Sequence, residues 1–113
     1  MNILEANELN IKDNINKYEW VILDIYEEGD VLSEIASATM KSLSLNISNN
    51  IKLIKINIKE FKNAIYKQLL PHIRYDDYPE ILLIRNGKVN VRIPCVCRVG
   101  KIVDMLREKV PLI

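Results

Sequence analysis

Tyr75-Asp-Asp-Tyr-Pro-Glu-Ile-Leu-Leu-Ile-Arg-Asn-Gly-Lys-Val-Asn-Val-Arg-Ile93 decides how this chain is built. Ile81 to Ile84 is an unbroken apolar run, the pattern of a buried strand. Asn86-Gly87 follows, a pair that accepts positive φ at both central positions of a type I′ hairpin turn. Val89, Val91 and Ile93 then alternate with polar residues, as a half-buried return strand should. Ahead of the hairpin, Tyr78-Pro79 brings a residue without an N–H to the strand entry, where the lost donor costs least.

Working outward, the rest of the chain reads as what is needed to cover this hairpin. Met1 to Ala6 suits a short edge strand, and Asn7 suits the N-cap of a brief helix running to Lys17 with Ile11, Ile15 and Tyr18 on one side. Glu19 to Tyr26 is β-branched and aromatic and apolar on both faces except at Asp24. Such a strand is covered on both sides and sits in the middle of a sheet. Glu27-Glu28-Gly29 turns the chain, and Asp30 caps a long helix to about Ser48. Leu32, Ile35, Ala36, Thr39, Leu43 and Ile47 fall at helical spacing and predict its buried face. Ile51 to Asn57 is a third strand, parallel to the second because a helix of this length joins them. Phe61, Ile65 and Leu69 predict another amphipathic helix over Ile58 to Ile73, which Pro71 kinks or stops. Val99, Ile102, Val103, Leu106 and Val110 predict a last helix packed back on the sheet.

Composition narrows the function. The 113 residues suffice for a single domain over 1–113 with a genuine core. Sixteen basic against fifteen acidic residues give a net charge of +1, with neither sign gathered in a block, which argues against nucleic acid or a membrane surface as partner. No apolar run approaches a membrane span, and residues 1–20 lack a charged start and apolar middle, so the expected location is cytoplasmic. Cys95 and Cys97 are the only cysteines and His72 the only histidine. Cys and His alone therefore cannot complete a four-ligand metal site, and no metal or cofactor is expected. A C-x-C pair along a strand reads most simply as two small buried apolar side chains.

The element order, with a proline at the hairpin entry, resembles thioredoxin. The expected fold class is thus α/β and thioredoxin-like: a mixed central sheet, parallel strands first and an antiparallel hairpin last, flanked by helices. Leu23-Asp-Ile-Tyr26 resembles the central thioredoxin strand with its buried Asp, at Asp24, and Lys55-Ile-Asn-Ile58 resembles the next strand, whose Lys faces that Asp. The resemblance implies a buried structural pair of Asp24 and Lys55. In the same register the thioredoxin C-x-x-C falls on Asp30-Val-Leu-Ser33, where neither end is a cysteine. Disulfide exchange needs a thiolate at the helix N-terminus and a second thiol to resolve the mixed disulfide, and Asp30 and Ser33 supply neither.

Among redox-inactive relatives, Glu19-Trp-Val-Ile-Leu-Asp-Ile-Tyr-Glu-Glu-Gly29 resembles the central strand of the C-terminal domain of the phosducin-like family, which ends in a Leu-Tyr pair, two polar residues and a Gly. That family likewise lacks the C-x-x-C and keeps the proline. The resemblance implies a cytosolic, non-catalytic protein-binding module that works with chaperonin or with G-protein βγ subunits. Its contact surface would be the degenerate active-site end of the sheet: Glu27, Glu28, Gly29, Asp30 and Ser33, with Asp77, Tyr78 and Pro79. Two alternatives stand beside it. One is a thiol-redox protein using Cys95 and Cys97; the other is a Dim-type spliceosomal thioredoxin-like protein, whose partners would be splicing factors.

Overall fold

The structure, a computed structural model, describes residues 3–47, 50–60, 80–93 and 99–109. The Phe61-to-Ile73 part of the expected helix, Asp77, Tyr78, Pro79, Cys95, Cys97 and Val110 lie outside these residues. Five strands form one sheet in the order β1-β3-β2-β4-β5: β1 Ile3–Ala6, β2 Trp20–Tyr26, β3 Ile51–Asn57, β4 Glu80–Arg85 and β5 Lys88–Ile93. Helices α1 Ile11–Lys17, α2 Val31–Ser44 and α3 Val99–Lys109 complete the described architecture, with a short 3-10 turn at Ile58–Glu60.

β2 is central, as its two apolar faces require. It runs parallel to β3 and antiparallel to β4. Val21, Leu23 and Ile25 point into one core layer with Ile54, Ile56 and Leu82, under Ile11 and Ile15 of α1. Trp20 and Ile22 point the other way, toward Ala36, Met40 and Leu43 of α2 and Ile102 and Leu106 of α3. One sheet therefore separates two hydrophobic layers, and a strand buried on both sides cannot alternate in polarity.

The hairpin turn forms as expected, with φ of 50° at Asn86 and 80° at Gly87. Its return strand does not keep simple alternation. Leu83 pairs with Val91 but Ile84 pairs with Val89, so the register skips Asn90. This bulge puts Val89 against the α1 layer while Val91 and Ile93 join the α2 layer. An inserted residue reverses the facing of everything beyond it. Gly87→Ala is expected to cost about 1 kcal/mol, since positive φ strains a residue with a Cβ. The added carbon would also lie 2.5 Å from Asn16 Oδ1, which can rotate away, so the backbone term dominates. Urea denaturation of the variant checks this.

Three helix expectations need correction. Asn7 does not cap α1 directly: its Oδ1 accepts the N–H groups of Leu9 and Asn10, forming a local turn. The helix then starts at Ile11, whose N–H donates to the Asn7 carbonyl. α2 stops at Ser44, about a turn before Ser48. Ser44 Oγ donates to the Lys41 carbonyl and Asn46 Nδ2 to that of Ser42, both at 2.6 Å, so side chains take over the last carbonyls. The buried face of α2 is also rotated. Ser33, Ala36, Thr39, Met40 and Leu43 are buried, whereas Leu32 and Ile35 are each 42% exposed.

Candidate functional site

β2 delivers Asp24 to the carboxyl end of the sheet, next to the loop that starts α2. Strand register then builds a row across four strands: Glu5 opposite Lys55, Lys55 opposite Asp24, and Asp24 opposite Ile81. Asp24 is 1% exposed, and neither of its carboxylate oxygens has a hydrogen-bond partner among the described residues. Lys55 does sit beside it in register, but its ammonium is drawn elsewhere. Lys55 Nζ lies 3.6 Å from Glu5 Oε1 and 5.6 Å from the centre of the Tyr26 ring. The Tyr26 hydroxyl donates to both Glu5 oxygens, at 3.0 and 2.9 Å. The expected Asp24–Lys55 pair is thus one of register neighbours with no ion pair within 4.0 Å; Lys55 meets Glu5 instead at the half-exposed edge, where neither charge must be dehydrated.

Burial governs how Asp24 titrates. Burial pushes its carboxyl from 3.8 up to about 7; the Lys55 charge pulls it down by less, and Glu5 pushes it up again. Burial, reinforced by the hydrogen bond to Glu5, raises the Tyr26 hydroxyl to about 12. Sequence reading found Asp24 and Lys55 but missed Glu5 and Tyr26. Only strand order reveals that β1 lies beside β3 and brings Glu5 to Lys55.

The start of α2 is tied into its own backbone. The Asp30 carboxylate accepts the Ser33 N–H at 3.1 Å, and Ser33 Oγ accepts the Glu27 N–H at 2.9 Å. Gly29 turns the loop with φ of 81°. Asn57 Nδ2 donates to Glu28 Oε1 at 3.1 Å, joining the loop to the end of β3. Glu27, Glu28, Gly29, Asp30 and Ser33 are thereby brought together. Ser33 is 5% exposed and its hydroxyl is engaged, so the Asp30 and Ser33 side chains both bond backbone N–H groups at the helix start. Asp30→Ala is expected to cost about 1 kcal/mol, the usual worth of an N-cap, and to lower Tm by roughly 4–8 °C for a domain of this size. Differential scanning calorimetry measures it.

Among the described residues no three His, Cys, Asp or Glu side chains gather as a metal site, and no helix is long and apolar enough to cross a membrane. The strand order, the parallel β2-α2-β3 unit and the closing antiparallel hairpin define a thioredoxin-like fold. The crystal structure of Chlamydomonas reinhardtii thioredoxin f2 is similar, with a TM-score of 0.72 and 15% sequence identity over 97% of this chain and 98% of that one. No protein-family model matches the chain, and the search of curated proteins returned no match. Identity this low carries the fold and not the activity.

Proposed function

We propose that the chain is a non-catalytic, thioredoxin-like protein-binding module, with the start of α2 as its contact surface. The observation that supports this reading is the chemistry of Asp30 and Ser33. At the place where redox thioredoxins carry their thiols, this chain has a carboxylate and a hydroxyl, each bonded to a backbone N–H. A peptide can still be held there by side-chain and backbone contacts, which need no sulfur. Phosducin-like partners, chaperonin or G-protein βγ, are the finer form of the proposal, with Asp77, Tyr78 and Pro79 as further contact residues.

The rival is a thiol-redox protein using Cys95 and Cys97, favoured by the likeness in fold to a solved thioredoxin. Insulin reduction with dithiothreitol separates the two. The binding-module reading expects no turnover above the uncatalysed rate. Turnover that disappears in Cys95→Ser and Cys97→Ser would reject it. Purified chaperonin and G-protein βγ, applied separately to the immobilised chain, then test the finer form.

A further inference from the structure

The first two turns of α2 carry more apolar surface than the core uses. Val31 is 69% exposed, and Leu32 and Ile35 are each 42% exposed. Residues 31, 35 and 38 fall on one helical stripe, at i, i+4 and i+7, with Leu32 beside it and an exposed alanine at position 38. Single exposed apolar residues are ordinary, but a contiguous patch marks a contact site.

The charge around this patch selects its partner. Glu27, Glu28 and Asp30 lie in the loop that leads into it and Glu34 lies beside it on α2, with Lys41 the first basic residue after Tyr26. The whole chain is +1, so this concentration of negative charge is local. None of the four acids has a cationic partner among the described residues. Such a rim repels anionic lipid headgroups and acidic peptides and attracts cations over about a Debye length. We propose that this face binds a protein segment whose apolar side chains are flanked by Lys or Arg. The apolar contacts hold the segment, and the rim steers and selects it.

The inference rests on the binding-module reading of the same surface, and its test is separable from that one. The probe is a fluorescein-labelled amphipathic peptide of Leu and Lys, with an isomer carrying Glu in place of Lys, followed by fluorescence anisotropy on the full chain. The Leu/Lys peptide is expected to bind and to weaken as salt rises, while the Leu/Glu isomer does not bind. Leu32→Ser combined with Ile35→Ser should weaken binding by about tenfold or more, as loss of central apolar anchors does. Glu27→Gln combined with Glu34→Gln removes two of the four charges and should cut the salt dependence by about half. All four side chains are exposed, and urea midpoints of each variant show whether folding is kept. Equal binding of the two peptides, failure of the Leu/Lys peptide to bind, or unchanged affinity in well-folded variants would overturn the inference. Absence of insulin turnover alongside any of these leaves the broader reading standing, whereas cysteine-dependent turnover removes it whatever the peptides do.

Discussion

The stability advantage of Asp24→Asn over the native chain is expected to grow by about 4 kcal/mol between pH 4 and pH 8. The folded chain holds the Asp24 proton up to about pH 7, against 3.8 for an ordinary aspartate. Between those values the unfolded chain releases a proton that the folded chain keeps, so ionisation favours unfolding. The contribution of Asp24 is therefore fully present below about pH 3.8, falls as pH rises, and is lost above about pH 7. At about 1.4 kcal/mol per pH unit, the gap amounts to about 4 kcal/mol. Asparagine has nearly the same shape and never ionises, so any constant cost of its buried amide cancels in the comparison across pH. Urea denaturation of both proteins at the two pH values measures the difference. An advantage that stays the same at pH 4 and pH 8 would mean that burial does not hold the proton on Asp24.

Leu43→Ala is expected to destabilise by about 2–5 kcal/mol, while Leu32→Ala costs about 1 kcal/mol or less. The two substitutions delete the same atoms from the same helix. Leu43 is completely buried against the sheet, whereas Leu32 is 42% exposed. Truncation at Leu43 leaves a cavity that packed neighbours fill only partly; at Leu32, water fills the space. Since domains of this size are stable by only about 5–15 kcal/mol, the Leu43 variant should show a clearly lowered urea midpoint. Equal losses at both positions would refute the helix orientation and, with it, the exposed apolar face beside the acidic rim.

That orientation shows where sequence reading ran short. Eight positions of α2 between 31 and 43 are apolar or threonine, namely Val31, Leu32, Ile35, Ala36, Ala38, Thr39, Met40 and Leu43. They occupy more of the helix surface than one sheet contact can cover. Hydrophobicity ranked Leu32 and Ile35 as core and passed over Ser33. The structure buries Ser33 because its hydroxyl accepts the Glu27 N–H, which satisfies it in place. The excess of apolar residues was itself the available signal that one face would remain exposed.

By itself the sequence determined what local chemistry controls. The Asn86-Gly87 turn, the central place of β2, the Asp30 cap and the lack of sulfur at positions 30 and 33 all follow from residue types at short spacing. Tertiary structure alone decided the rest: the bulge at Asn90, the rotation of α2, and the meeting of Glu5 with Lys55 and Tyr26, which leaves Asp24 without a hydrogen-bond partner among the described residues. These depend on which strands become neighbours and which surfaces fill the space between them. Residues far apart along the chain acquire their partners only when the sheet is assembled, and no local pattern encodes that choice.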